Sequence, residues 1–262
     1  MFAAERIKKI KEILLEYKHV DVNTLCSLLS VSIATVRRDL DKLEEEGFLS
    51  KTHGGAIINE TNEFEVQLSG SDDPFLGEKT QIGMIAAEMI ENNDIIFLGS
   101  GNTCLQIAKN IKEKRNITVV TNNINIVLEL AYCKNTNVIM PGGDLEVVDN
   151  YLAMTGQYTL NNLEKMYLNK SFFTVNGISI DYGYTVNSRE QAALYKLLLA
   201  NSNESVVVAD YSKFDKRAFT QVGPISLIKK VITNVQLDNR YKEFFFDNGI
   251  KLFTTFEDNK NI

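Results

Sequence analysis

The sequence predicts an α/β protein in which a small, mostly helical N-terminal domain precedes a larger domain built on a mostly parallel sheet. Over about the first 45 residues, apolar residues recur every three to four positions, which is the spacing of amphipathic helices. From Glu78 onward, short apolar runs alternate with helical stripes. The chain of 262 residues is 44% hydrophobic, so it can form a core without disulfide bonds or a structural metal. We predict a helical domain over 1–58, a linker over 59–77 and an α/β domain over 78–262.

The cysteine, histidine and hydropathy patterns exclude several classes of protein. Three cysteines, Cys26, Cys104 and Cys133, form an odd number without CxxC spacing, and with two histidines they make no zinc-binding pattern. No apolar run approaches the roughly 18 residues that span a bilayer, and the first thirty residues carry charges throughout. We therefore expect a cytoplasmic protein that binds no membrane and carries neither a metal nor a cofactor.

Three helices are predicted in the N-terminal domain. The first begins near Glu5 and has the apolar stripe Ile7, Ile10, Leu14 and Tyr17. Asp21 is the candidate N-cap of a second helix over about residues 21–29. Ser32 is the candidate N-cap of a third helix, which Gly47 ends and whose buried stripe is Ile33, Val36, Leu40 and Leu43. The three-residue connection between the last two helices matches a helix-turn-helix.

The third helix is predicted to present a basic face, because burial of its stripe turns Arg37 and Arg38 outward. Residues 48–58 alternate apolar residues around a basic tip with Gly54-Gly55 at the turn, which is typical of a β-hairpin, or wing. Two adjacent arginines alone would better fit the solvated face of a three-helix bundle, but the capped helices and the basic wing together favour double-stranded DNA. The candidate DNA-binding residues are Ser32, Thr35, Arg37, Arg38, Lys51, His53, Gly54 and Gly55.

Charge is divided unevenly along the chain. Residues 1–58 hold nine basic and nine acidic residues, so the whole net charge of −6 lies after residue 58. The acidic remainder is expected to stay off DNA, which argues against a protein that coats DNA over an extended basic surface.

The segment VSIATVRRDLDKLEEEGFLSKTHGGA resembles the winged-helix domain of DeoR-family transcriptional regulators, and the resemblance covers about residues 3–58. It departs from the family pattern at Lys51, where the family more often has arginine. Lysine keeps the positive charge but forms no bidentate hydrogen bonds, so this position suits a phosphate better than a base. The resemblance implies a sequence-specific regulator of transcription.

The α/β domain is predicted to contain seven short strands separated mostly by helices. The strands are the apolar runs 95–98, 117–120, 138–140, 171–175, 206–209, 231–233 and 252–254. The helical stripes are Ile82, Ile85, Ala86 and Met89; Leu105, Ile107, Ala108 and Ile111; and Ala192, Leu194, Tyr195 and Leu198. In such a sheet, ligands are expected in the loops at the carboxyl ends of the strands.

Small and polar residues follow five of these strands. After the first strand, Gly99–Thr103 leads into a helix whose free amide groups and dipole suit an anion, although a Gly-Ser-Gly turn is also a common strand-to-helix connection. The other loops are Thr121-Asn122-Asn123, Pro141-Gly142-Gly143, Asn176-Gly177 and Asp210–Phe214. Five polar loops at one edge of the sheet predict a polar pocket there.

These loops are similar to those of the DeoR-family C-terminal effector domain, whose fold resembles ribose-5-phosphate isomerase. The resemblance implies a phosphorylated sugar or sugar alcohol as ligand, with its phosphate over residues 100–103 and a lysine supplying positive charge. The chain departs from the family at Gly99 and Asn169, where many members have an acidic residue. The candidate effector-binding residues are Ser100, Gly101, Asn102, Thr103, Thr121, Asn122, Gly142, Gly143, Asn176, Gly177, Arg189, Glu190, Lys196, Asp210 and Lys213.

An active phosphosugar isomerase is the alternative function. Moving a proton between adjacent carbons needs a carboxylate base and a group that stabilises the enediolate. Isomerases of this fold carry DGADE after the fourth strand, whereas Asn176–Ile180 contains no acidic residue, and Glu190 beside Arg189 better fits a structural or ligand-orienting pair. We therefore predict a repressor of carbohydrate-utilisation genes that is not an enzyme. It is expected to be a homodimer or higher homo-oligomer, because one winged helix reads only a few base pairs.

Overall fold

A computed structural model describes residues 3–52, 54–59, 73–148 and 151–254. It divides the chain into two compact units, Met1–Asp72 and Asp73–Ile262. Most of the predicted linker, residues 60–72, lies outside the described residues. The last two residues of that linker, Leu76 and Gly77, belong to a helix of the second unit, because the Lys79 amide donates to the Phe75 carbonyl and continues the helical pattern back to this point.

The first unit packs three helices against a small antiparallel sheet. The helices are α1 (Ala3–Tyr17), α2 (Val22–Leu29) and α3 (Ile33–Glu45), and the strands are β1 (His19–Asp21), β2 (Leu49–Lys51) and β3 (Gly55–Ile58). Strand β3 lies between the other two and is antiparallel to both. The core between the helices and the sheet includes Ile10, Leu14, Leu25, Val36, Leu40 and Leu43.

Side-chain caps begin α2 and α3 as predicted. Asp21 accepts a hydrogen bond from the Thr24 amide at 2.9 Å, and Ser32 accepts one from the Thr35 amide at 3.3 Å. Helix α3 ends at Glu45, and Gly47 follows it with a left-handed φ of +73°. The wing differs from the predicted two-stranded hairpin, because β3 also pairs with β1, a strand too short for its sequence pattern to reveal.

The second unit is built on a seven-stranded parallel sheet. In chain order its strands are β4 (Ile95–Leu98), β5 (Ile117–Thr121), β6 (Thr136–Ile139), β9 (Leu168–Phe173), β12 (Ser202–Val208), β14 (Lys230–Thr233) and β15 (Lys251–Thr254). Across the sheet they lie in the order β15-β14-β12-β9-β4-β5-β6, and every neighbouring pair is parallel. Each predicted strand overlaps one of these seven, and the predicted fold class is confirmed.

Helices and two smaller sheets complete the second unit. The helices are α4 (Leu76–Glu88), α5 (Asn102–Asn110), α6 (Ile124–Leu130), α7 (Gly156–Leu163), α8 (Arg189–Asn201) and α9 (Asn239–Asp247), with 3₁₀ turns at Tyr211–Lys213 and Ile225–Leu227. Strands β7 (Asp144–Val148) and β8 (Tyr151–Thr155) pair with each other. Strands β10 (Gly177–Ser179), β11 (Gly183–Val186) and β13 (Thr220–Gly223) form an antiparallel sheet in that order.

Apolar side chains cover both faces of the parallel sheet. On one face α4 and α5 bury Ile82 and Ile107, and on the other α8 and α9 bury Tyr195 and Phe245. Across the ranges that the structure describes, no helix is long and apolar enough to cross a membrane. The same ranges hold no group of three or more His, Cys, Asp or Glu that could hold a metal ion.

Candidate functional site

Helix α3 and the wing face an open groove in the first unit. Arg37 lines this groove together with Asn23 at the start of α2 and with Thr52 and Gly54 of the wing. Arg37 and Arg38 are both exposed, and neither forms an ion pair with another described residue. Both guanidinium groups are therefore available to a phosphate or a base edge.

Lys51 is held by helix α3. Its ammonium lies 2.6 Å from Asp41 Oδ1 and 2.9 Å from Glu44 Oε2, and its backbone amide donates to Glu44 Oε1 at 3.0 Å. These two carboxylates raise the pKa of the Lys51 ammonium well above its ordinary value. These contacts fix the wing against α3. Because Asp41 and Glu44 offset the charge of Lys51, a DNA phosphate would have to compete with both carboxylates for its ammonium.

The two wing glycines differ in their surroundings. A Cβ atom on Gly55 would lie 2.1 Å from the Val20 carbonyl oxygen, whereas one on Gly54 would meet no atom within 4 Å. The Gly54 carbonyl accepts the Val22 amide at 2.9 Å, which ties the turn to the start of α2. His53, the remaining candidate of this turn, lies outside the described residues.

The first turn of α3 is fixed by side-chain hydrogen bonds. The hydroxyls of Ser32 and Thr35 lie 2.9 Å apart at the end of the helix that borders the groove. One turn further on, buried Asp39 accepts from the Arg6 side chain, including a 3.0 Å bond to Arg6 Nη2, and so joins α3 to α1. These contacts position Arg37 and Arg38, and the role of Asp39 was not predicted from the sequence.

The second unit contains a small cleft at the carboxyl ends of β4 and β5. Three of the predicted effector-binding residues line it: Ser100, Asn122 and Glu190. The other lining residues are Val148, Thr155, Gly156, Thr159, Leu160, Gln191 and Leu194. The mixture of hydroxyl, amide and apolar groups suits a small polyol with a partly apolar face.

Two buried amide oxygens in this cleft lack partners among the described residues. Asn122 Nδ2 donates to the Met154 carbonyl at 3.2 Å, and Gln191 Nε2 donates to the Tyr195 hydroxyl at 3.0 Å, so the nitrogen of each amide is engaged. The oxygens, Asn122 Oδ1 and Gln191 Oε1, are buried without a hydrogen bond. Because an unpaired buried acceptor is costly, both oxygens are suited to accept hydrogen bonds from ligand hydroxyl groups.

The loop before α5 approaches its neighbouring strand too closely for a side chain. Gly101 has a φ of +113°, and a Cβ atom there would lie 2.7 Å from Thr174 Cγ2. Gly101 supplies no side-chain cap, so the first turn of α5 offers its amide groups to a ligand at the positive end of the helix dipole. Thr103 is buried in that turn.

Several other predicted residues position the cleft from behind. Thr121 Oγ1 donates to the Leu98 carbonyl at 2.7 Å and accepts from the Asn123 amide at 3.1 Å, which joins the ends of β4 and β5. The Gly142 carbonyl accepts from Thr159 Oγ1 at 2.6 Å. A Cβ atom on Gly143 would lie 2.1 Å from Thr159 Oγ1. Gly142 and Gly143 therefore support a residue of the lining rather than line the cleft.

The remaining candidates lie outside the lining. Asn176 Oδ1 accepts the Asn187 amide at 3.1 Å, and Gly177 packs against the backbone of Lys216. Arg189 stacks over the Phe219 ring at 5.7 Å. Lys196 is exposed on α8, and Lys213 is half-buried in a 3₁₀ turn.

Lys79 lies near this edge of the sheet with only 12% of its side chain exposed, and sequence reasoning missed it. Its ammonium lies 2.5 Å from Asp73 Oδ2 and 3.8 Å from Oδ2 of Asp210, a predicted effector-binding residue that is fully buried. Asp73 also accepts from Nδ2 of Asn102 at 2.8 Å, which connects the pair to the first residue of α5. One signal in the sequence could have found it: Lys79 precedes Ile82 of the predicted apolar stripe by three positions. Residues with this spacing lie on the same face of a helix, so Lys79 is placed towards the sheet.

Comparisons with known proteins cover both units. Residues 6–62 match the DeoR-like helix-turn-helix domain, and residues 75–235 match the DeoR C terminal sensor domain. The chain is 32% identical over 252 residues to the uncharacterized HTH-type transcriptional regulator YulB of Bacillus subtilis, covering 96% of each protein. It is 31% identical to the lactose phosphotransferase system repressor of Streptococcus mutans, covering 91% of this chain and 95% of that one.

Among solved structures, ribose 5 phosphate isomerase A from Neisseria gonorrhoeae is similar over 53% of each chain, with 17% identity and a TM-score of 0.38. The translation initiation factor eIF-2B of Pyrococcus horikoshii is similar over 84% of this chain and 76% of that one, with 17% identity and a TM-score of 0.41.

Proposed function

The chain belongs to the DeoR family of helix-turn-helix transcriptional regulators, and from this premise we propose that it represses carbohydrate-utilisation genes until a phosphorylated sugar or sugar alcohol binds its second unit. Its first unit binds DNA through α3 and the wing. The name of one relative, a lactose phosphotransferase system repressor, supports a link to carbohydrate use.

One observation supports a phosphorylated polyol as the class of ligand. The buried oxygens of Asn122 and Gln191 are unpartnered in the described part of the cleft, which is also lined by Ser100 from the loop before α5. Free acceptors match the hydroxyl groups of a polyol, and the uncapped start of α5 matches an anionic group. A phosphorylated polyol carries both kinds of group in one small molecule.

We propose that the cleft binds its ligand without converting it. Glu190 is the one carboxylate in the described lining, and no lysine or arginine lines the cleft to stabilise an enediolate. The loop that carries the acids of the isomerases, Asn176–Ile180 in this chain, has none. A ligand held in the cleft shifts an equilibrium between DNA-binding states. A regulator with this role acts in the cytoplasm, where its operator lies.

The experiment is a titration of labelled operator with the full-length protein, using a sequence selected by the protein from random DNA. A panel of sugar phosphates and sugar-alcohol phosphates is added at fixed salt, and each is also assayed for turnover. We expect one member to weaken operator binding without being consumed. Isomerisation of that compound, or operator binding indifferent to the whole panel, would contradict the proposal.

A further inference from the structure

Ile33, the first residue of α3, is an exposed apolar side chain in the DNA-binding unit. Its spacing predicts a place in the buried stripe of the helix, but 46% of the residue is exposed, whereas Val36 and Leu40 are buried. The prediction is wrong at this position because Val31, in the connection before the helix, packs against the core instead. The Ile33 side chain is therefore free for another role.

Ile33 lines the groove between α3 and the wing together with Arg37. Residues four positions apart lie on the same face of a helix, so these two side chains enter the groove about 6 Å apart along the helix axis. Among the described residues of the lining, Ile33 is the one large apolar side chain that is exposed, since Val22 is half-buried and Leu40 is buried. DNA in the groove would therefore meet an aliphatic group beside a guanidinium group.

The charges along α3 favour DNA contact at its first two turns, where Ile33 lies. Arg37 and Arg38 are exposed there and pair with no carboxylate of another described residue. The second half of the helix carries Asp41 and Glu44, two acids that share the ammonium of one wing lysine. Because DNA phosphates are attracted to the basic half and repelled by the acidic half, base edges approach α3 near Ile33.

We propose that Ile33 packs against the C5-methyl group of a thymine, and so selects a T·A base pair within about two steps of the base pair that Arg37 reaches. Thymine alone among the four bases presents a methyl group in the major groove, and an apolar side chain is its matching partner. Two steps of about 3.4 Å are comparable with the distance between the two side chains along the helix. A β-branched side chain in a helix strongly prefers one χ1 rotamer, so the contact costs little rotamer freedom. The proposal rests on the proposed function, since it requires α3 to lie in the major groove of an operator.

The test replaces thymine with deoxyuridine, which lacks only the C5-methyl group, in an operator that the full-length protein selects from random DNA. Each thymine of one half-site, the part of the operator that one subunit reads, is replaced in turn, and fluorescence anisotropy measures the affinity. At one position the wild type is expected to lose about fourfold in affinity, or about 0.8 kcal/mol, the effect of one buried methyl-sized group. Ile33→Ala lacks the partner of that methyl group. It is expected to bind the thymine and deoxyuridine operators equally, and the thymine operator more weakly than the wild type does.

The matched control is Ile57→Ala. Ile57 is 47% exposed, lies on β3 and does not line the groove, so this variant should keep the wild-type preference for thymine. Thermal melting checks that both variants are folded. Wild-type affinity that no deoxyuridine substitution lowers, or an Ile33→Ala variant that keeps the fourfold preference, would overturn the contact and leave the proposed function standing. A protein that selects no DNA sequence would overturn both.

Discussion

At the scale of the residue, Arg37 and Arg38 are the side chains expected to contribute most to DNA binding, because both are exposed in the first half of α3 and Arg37 lines the groove. Replacing either with alanine should cost about 1–3 kcal/mol of operator binding, and each lost phosphate contact should lower the salt slope by about one. Fluorescence anisotropy at several salt concentrations measures both quantities. Lys8→Ala changes an exposed side chain of α1 and is the control, with operator affinity expected to stay unchanged. Full affinity in both arginine variants would remove them from the interface.

Cys104 is predicted to be chemically inert in the folded protein. It is fully buried, and burial raises the pKa of its thiol to about 12, so almost no thiolate is present at pH 8. A Cys26→Ser, Cys133→Ser variant isolates this thiol. We expect a thiol reagent to label it only after denaturant unfolds the protein, and rapid labelling of the folded variant would show that the site opens.

The cleft residues show how far the sequence predicts a site. Ser100 and Asn122 were accessible to prediction because polar residues directly after buried strands gather at one edge of a parallel sheet. Lys196 and Lys213 are the cations that the family resemblance implies for the phosphate, and neither lines the cleft. Lys79 was not found, because its burial results from tertiary packing against Asp73 and Asp210 rather than from a local motif.

At the scale of the element, the wing depends on a glycine in β3. Gly55→Ala should destabilise the first unit by about 1–3 kcal/mol, because its Cβ would overlap the Val20 carbonyl. Gly54→Ala, whose Cβ would enter open space, is the matched control and should leave the unfolding transition nearly unchanged. Thermal melting compares the two variants, and equal stability would contradict the close pairing of β3 with β1.

The strands of the parallel sheet were predictable because each one contains a short apolar run, and the central strands are buried on both faces. The pair formed by β7 and β8 was not, since β7 is mostly exposed and its alternation carries no burial signal. The antiparallel sheet of β10, β11 and β13 was missed for a different reason. Its strands have only three or four residues, and β11 pairs with β13, which follows it in the chain only after residues 187–219.

At the scale of the whole molecule, operator binding by the first units of two subunits predicts that affinity depends strictly on the spacing between the two half-sites. Half-sites about one helical turn, roughly 34 Å, or a multiple of this apart present the same face of DNA to a symmetric dimer. Inserting about five base pairs between them rotates one half-site by half a turn and should reduce affinity towards that of a single half-site. Light scattering should show at least a dimer; a monomer that binds both spacings equally would contradict this arrangement.

The central claim is that a ligand in the cleft and operator DNA on the first unit oppose each other's binding, and a reciprocal titration tests it most directly. The releasing sugar phosphate should weaken operator affinity by about 5–150-fold, a coupling of about 1–3 kcal/mol, and operator DNA should weaken affinity for that sugar phosphate by the same factor. Asn122→Ala should bind operator normally and lose the response, because it removes a cleft acceptor and lies outside the first unit. Operator affinity that no sugar phosphate changes, or an Asn122→Ala variant released at the wild-type ligand concentration, would contradict the claim.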